Sequence, residues 1–465
     1  MLFFIYLYIL IIFLNIILSK FFYSKEKLIK YLEFPFERNL TLNETMNQSL
    51  IFKNLFYNQI YINLKVGSNK KEIPFNIYLQ QFPIIIQSAN VDNNQVKGLY
   101  NESISETYEL IKNDYFVGGD MRIGILSKDN FHINNNDIPI NFYLSKENIY
   151  NSNITEGGKI GFKLYPSYSQ SKEASFIHNL KNNNIISSYI FFFEYNSYEK
   201  DDNKDKLIIG AYPHLYNKKH YNEIYYVKDK ANQGFSEIDW VFDFDKIKIG
   251  KDVIKKEKKA YFYNEVGFII APKIFFEILN NLPSWQKYFL NNSKCHITKF
   301  IIDDVEIKDV QQKLKGEYTS YYCEKDMKIE KINIPEINFV KKNMNYTFNL
   351  NNSDIWMIIG NYIYLMIVQK QYYTDIWILG KPFFKKYNMI FEYDNKQIGL
   401  YTKIINENNK NNNFIYVLII IGLIIVIIVL IFVLYKCYMM YPRKKRANEM
   451  NEEDYVYIEN LINMQ

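Results

Sequence analysis

Trp377-Ile-Leu-Gly-Lys-Pro-Phe-Phe-Lys-Lys-Tyr-Asn-Met-Ile-Phe-Glu-Tyr-Asp-Asn-Lys-Gln-Ile-Gly-Leu-Tyr401 closes the folded part of the chain. It opens on an apolar strand that ends in glycine. Upstream lie short runs rich in β-branched and aromatic residues, such as Gln59-Ile-Tyr-Ile-Asn-Leu-Lys-Val66, Phe75-Asn-Ile-Tyr-Leu79, Tyr189-Ile-Phe-Phe-Phe-Glu194 and Lys206-Leu-Ile-Ile-Gly210. Many alternate with polar residues and turn residues separate them, the pattern of a mainly antiparallel β protein. Pro272 to Leu282, with proline at the first helical position, is the best helix, and Ala174 to Asn182 is a second.

Downstream, residues 402–413 are Asn-rich and read as a stalk. Phe414 to Tyr435 carries no charge and is long enough to cross a membrane as one helix. Arg443-Lys-Lys-Arg446 follows it, so residues 436–465 are expected in the cytosol. At the other end Leu2 to Leu18 is apolar except for Asn15, and residues 1–19 read as a signal peptide. The absent basic n-region keeps a signal anchor as the alternative. Residues 20–56 are polar and resemble a propeptide or N-terminal arm. The expected product is a single-pass type I membrane protein of the secretory pathway. Its N-terminal domain would be lumenal or extracellular, in the endoplasmic reticulum, a vesicle or the cell surface.

The 465 residues are enough for a large core, and aromatics make up 17%, with 42 Tyr and 35 Phe. A net charge of +6 is spread among acids with no basic face, which argues against nucleic acid. Of the three cysteines, Cys437 sits at the cytosolic membrane edge, open to palmitoylation or without a role. Cys295 and Cys323 share the lumenal part, and one disulfide is the natural reading. Sequons such as Asn39, Asn43, Asn47 and Asn345 are compatible with secretion and glycosylation. The histidines show no metal-ligand spacing, so neither metal nor cofactor is expected.

The Trp377–Tyr401 stretch resembles the C-terminal signature of pepsin-like aspartic proteases (plasmepsin, cathepsin D and beta-secretase are relatives of that kind). Other segments resemble the family in the same order. Ile60-Tyr-Ile-Asn-Leu-Lys-Val-Gly67 is similar to the opening strand, and Tyr115 with Gly118, Gly119 and Ile123-Gly-Ile-Leu126 to the flap hairpin. Gly161 and Leu164-Tyr-Pro-Ser167 resemble the buried Gly strand and the turn beyond it. Leu207-Ile-Ile-Gly-Ala211 and Ile334-Pro-Glu-Ile-Asn-Phe339 resemble later strands, and Cys295 with Cys323 the second lobe's disulfide. The resemblance covers residues 57–401 and implies an all-β, bilobal fold, two barrel lobes about a central cleft. The N-lobe would be about 57–225 and the C-lobe about 226–401, with the single transmembrane helix after them.

The family's reaction needs two aspartates sharing a proton and a water, each in an Asp-Thr-Gly or Asp-Ser-Gly turn. Here Pro74-Phe-Asn-Ile-Tyr-Leu79 is followed by Gln80-Gln81-Phe82, which puts Gln80 at the first aspartate position. Lys259 to Pro272 puts Tyr263-Asn264-Glu265 at the second turn. Neither an amide nor a phenol is a general base near neutral pH, so loss of hydrolysis is expected, with the bracing hydroxyls and glycines gone as well. Glu265 is expected as a solvated loop-tip residue, its alternative being a swing into the cleft. Tyr115, Gln81, Asn264 and Glu265 are the cleft and flap residues the resemblance points to. A cleft without chemistry could still hold an extended peptide. In the tail, Tyr455-Val-Tyr-Ile458 fits the Tyr-x-x-hydrophobic pattern of sorting adaptors, although chance also produces it. The expected function is therefore peptide or protein binding, or cargo retention, by an inactive homologue. An active endopeptidase using Glu265, and a surface adhesion protein using its outer loops, are the alternatives.

Overall fold

A computed structural model describes residues 30–38, 46–57, 60–79, 83–89, 99–118, 121–146, 157–163, 170–195, 205–216, 226–231, 240–255, 258–289, 294–302, 314–371, 375–401, 426 and 429–436. The strands form where the sequence alternates. Ile60–Val66 buries Ile60, Ile62, Leu64 and Val66 and turns Asn63 and Lys65 outward, as one buried face of a pleated strand requires. Residues Met1–Thr402 form one compact unit and Lys403–Gln465 another.

The chain is mostly β and builds several sheets. Its first half makes an eight-stranded sheet from Glu37–Arg38 to Asn136–Ser145 with Gly158–Gly161 inserted, and its second half a nine-stranded and a four-stranded sheet. A six-stranded sheet joins the halves. Its central pair sets Ile190–Glu194 against Met389–Glu392, with Phe191 opposite Phe391 and their rings stacked 5.0 Å apart. Two buried bonds reinforce the junction. Trp240 Nε1 donates to Phe162 O (2.7 Å) and the Tyr393 hydroxyl to Lys163 O (2.9 Å).

One pairing pattern occurs in both halves. In the first, Lys71–Tyr78 runs parallel to Gly158–Gly161, which is antiparallel to Ile85–Gln87, itself parallel to Asn136–Ser145. In the second, Lys259–Phe262 runs parallel to Trp377–Leu379, which is antiparallel to Ile269–Ala271, itself parallel to Ile367–Lys370. The Trp-Ile-Leu strand is thus the central insert of the second half, buried on both faces.

The N-terminal arm is built into the fold. Leu32–Pro35 is an edge strand of the joining sheet, paired with Lys206–Ile209. The arm helix, Gln48–Phe56, starts at Asn47, whose side chain accepts from Leu50 N, a common way to satisfy a first-turn donor. Its Ile51, Phe52, Leu55 and Phe56 are buried.

The two helices expected from sequence are present in shorter form. Lys273–Asn280 follows Pro272, which caps the helix in an extended conformation and does not enter its first turn. Phe176–Asn182 begins after Ser175, because Gln170–Ala174 winds as a 3₁₀ turn. Cys295 and Cys323 face each other across paired strands and form the expected disulfide. Among the described residues no helix is long and apolar enough to cross a membrane. The span expected at 414–435 lies mostly outside them, as do the signal peptide, the stalk, Cys437, Tyr455 and Ile458.

Gly380 shows why the signature strand ends in glycine. A methyl group on it would run into the backbone carbonyls of Val266 and Phe268. Gly380→Ala is therefore expected to destabilise the protein by about 3 kcal/mol, the upper range for overpacking against atoms that cannot move aside. Chemical denaturation monitored by tryptophan fluorescence would measure this, and an unchanged midpoint would show that the backbone there yields.

Candidate functional site

The two repeated patterns fix which residues correspond. Ile77 pairs with Ile160 and Tyr78 with Gly161, while Phe262 pairs with Leu379 and Tyr263 N donates to Leu379 O (3.1 Å) beside Gly380. Ile160-Gly161 and Leu379-Gly380 are equivalent, so Tyr78 is the structural counterpart of Tyr263. The same offset carries Ile85 onto Ile270, whose partners Lys159 and Ile378 are again equivalent. No gap is needed between the two ends of the turn. The sequence-based reading set Gln80 against Tyr263; the pairing of the described residues sets Tyr78 there. Gln80 and Gln81 themselves lie outside the described residues.

Both tyrosines are buried, Tyr263 at 0% exposure and Tyr78 at 4%. The ammonium of buried Lys159 stands 6.0 Å from the centre of the Tyr78 ring. Tyr263 belongs to an apolar cluster with Val266, Phe268, Tyr318 and the buried face of the arm helix.

Asn264 ties the two turns together. Its Oδ1 accepts from Leu79 N (3.1 Å) and its Nδ2 donates to Ile77 O (3.2 Å), both bonds buried. The amide supplies one acceptor and one donor, so a single side chain satisfies two backbone groups of the other turn. The brace is one-sided, because the counterpart of Asn264 is the hydrocarbon Leu79.

Glu265 is buried, contrary to the solvated position expected of it. Neither carboxyl oxygen makes a well-formed hydrogen bond. Burial pushes its pKa up to about 8, and the neighbouring N–H groups of Glu265 and Leu79 and the Lys381 ammonium offset this only in part. Lys381, at 2% exposure, is held by its own N–H to Val266 O (2.9 Å).

The arm helix reaches the same turn. Gly267 N donates to Phe56 O (3.1 Å), and the Tyr364 hydroxyl donates to Gln48 Oε1 (2.8 Å). Phe52 stacks on Phe300 at 5.7 Å and on Phe268 at 5.8 Å. Tyr115 lies on Glu109–Gly118, which forms a hairpin with Met121–Ile133; its side chain is outside the described atoms.

With this geometry in hand, the profile of the family described as eukaryotic aspartyl protease matches residues 59–267 and 296–403. The chain belongs to that family. No curated protein matches it.

Sequence reasoning missed Tyr78, Lys159, Lys381 and the arm helix. For Tyr78 a signal was present: Ile77-Tyr78-Leu79 and Phe262-Tyr263-Asn264 are each followed, at the same distance, by Ile84-Ile-Ile86 and Ile269-Ile-Ala271.

The buried Glu265 gives a pH dependence. Its folded pKa, about 8, lies above the ordinary value of 4.5, so the folded state holds the proton more tightly. The associated stability is present below pH 4.5 and is lost as pH rises through 8. Glu265→Gln is expected to remove this slope and to gain on the wild type as pH rises from 5 to 9. Thermal melts across that range would check it; parallel curves would mean that Glu265 ionises normally.

Proposed function

We propose that this protein is a non-hydrolytic, membrane-anchored member of the eukaryotic aspartyl protease family with a bilobal pepsin-like scaffold, and that it acts by binding peptide or protein. One observation carries the reading: the paired turns hold Tyr78 and Tyr263 at equivalent, buried positions. If these are the family's two aspartate positions, the water between them would meet two phenols. A phenol with a pKa of about 10 is not ionised at acidic or neutral pH and takes no proton from water there.

The buried Glu265 is the nearby carboxylate, and it supports hydrolysis poorly. Below pH 8 it holds its proton, whereas the reaction needs one ionised and one protonated carboxyl. Binding remains open to the scaffold, since a cleft holds an extended chain through main-chain hydrogen bonds. The arm helix already covers the face that carries Tyr263, so a partner engages what the arm leaves exposed. On this reading the partner is retained in the secretory pathway, the anchor lies at 414–435, and Tyr455 and Ile458 of the tail face a sorting adaptor. The arm is retained as well, because its strand and helix are buried parts of two sheets' packing.

Two measurements on the full chain test this. Incubation with a peptide library from pH 3 to 7 is expected to leave every peptide intact; a specific cut abolished by Glu265→Gln would establish hydrolysis instead. Cleavage at a protease site engineered between Tyr57 and Ile60 is expected to leave the arm bound through gel filtration. Release of the arm from a still-folded remainder would show that it is a removable propeptide.

A further inference from the structure

The four-stranded sheet of the second half has one face in the core and one turned outward. Its strands lie in the order Asp252–Ile254, Lys246–Ile249, Ile337–Lys341, Tyr346–Leu350. On the core face Ile247, Ile249, Ile254 and Phe339 are buried. Alternation sends the residues between them to the other face. There Lys248 stands opposite Val253 on one neighbouring strand and Asn338 on the other, and Lys246 stands opposite Val340. Lys255, next after buried Ile254, continues that face, and Lys251 sits in the turn between the first two strands. Val253 among them is 41% exposed. The segment Asp245 to Lys259 holds seven lysines against three acids, four of the chain's six net positive charges. Sequence reading finds no basic face because isoleucine and valine interrupt these lysines; the pleat of the sheet is what gathers them.

Elsewhere in the fold lysines meet acids, as Lys112 meets Glu173, Lys206 Glu33, Lys299 Glu317 and Lys341 Asp229. Among the described residues Lys246, Lys248, Lys251 and Lys255 form no ion pair. The two carboxylates at the rim are engaged, Asp245 by Lys342 N (2.8 Å) and Glu336 by the Asn338 amide (3.0 Å). Like charges roughly 7 Å apart along one strand repel, so folding gains nothing from the grouping. An anion with charges repeated along its length suits it. The rest of the face selects among such anions. Val253, Asn338, Val340 and Thr347 include no arginine to fork onto a phosphate and no ring on which a base could stack, which serves nucleic acid poorly. The free edge strand, Asp252–Ile254, has three residues, too few to hold a peptide by strand addition. We propose that this face binds a sulfated polysaccharide, with sulfates set against Lys246, Lys248, Lys251 and Lys255. Such polymers belong to the lumenal and extracellular side, where the proposed function places this unit. The face lies in a different sheet from the Tyr263 turn and needs neither that turn's inactivity nor the arm.

Titration of the full chain in detergent with heparin tests this, with double-stranded DNA and poly-glutamate of similar length as comparison ligands; an assay in solution does not depend on where the protein resides. Saturable heparin binding is expected at low salt and its loss at about 0.5 M salt, because exposed charge contacts are screened. Lys246→Gln, Lys248→Gln and Lys255→Gln combined are expected to weaken it by about tenfold, at unchanged circular dichroism. The same loss of net charge through Lys65→Gln, Lys70→Gln and Lys71→Gln, in the first half, is expected to leave the affinity near that of the wild type. Should the first triple variant misfold, Lys255→Glu alone, beyond the end of its strand, is expected to weaken binding by about fivefold. Equal losses in the two triple variants would reduce the effect to net charge and overturn the proposal. So would the absence of saturable heparin binding at low salt, or tighter binding of DNA or poly-glutamate than of heparin.

Discussion

The buried Asn264 amide is the joint on which the site depends. Two strands, Lys71–Tyr78 and Lys259–Phe262, one from each half, lead into the turns that Asn264 joins. Asn264 satisfies two backbone groups there, Leu79 N and Ile77 O. Unsatisfied in a dry interior, each would cost on the order of 1–3 kcal/mol. The turn that carries Asn264 is pinned in return: Tyr263 N to Leu379, Gly267 N to Phe56, Lys381 N to Val266. Gly380 lets this turn lie directly on the signature strand. Tyr263, Glu265 and the arm helix take their places from that anchoring.

The fold was legible in the sequence because its signals are local and redundant. Alternation in Ile60–Val66, proline before Lys273–Asn280, and the Trp-Ile-Leu-Gly strand each report on their own neighbourhood. The disulfide followed from there being two cysteines between the two apolar ends of the chain. The site was less legible, because its register rests on long-range parallel pairing. Nothing near Tyr78 marks it as the partner of Gly161; only the pairing with a strand some eighty residues away does so. A slip of two preserves the side-chain face, so reading Gln80 in place of Tyr78 leaves the alternation of the strand unchanged. Burial is also non-local. Glu265 reads as a loop residue until Leu79, Lys381 and the apolar cluster close around it. The arm is similar: its polar composition hides four buried residues on one face of Gln48–Phe56.

The chemistry and the packing of the site are coupled. A working pair of carboxylates about 3 Å apart must hold one charge and a water, and charge buried under aromatic rings is costly unless it is solvated or paired. An open, wet cleft is therefore the natural setting for such a pair. Here both equivalent positions carry buried tyrosines, and burial raises the pKa of the one carboxyl in the turn to about 8. An uncharged turn can accept hydrocarbon on top of it, and Phe52 and Phe56 supply it. With the helix packed there, placing an aspartate at Tyr263 would bury an ion beneath it and set the arm's packing against the charge's need for water.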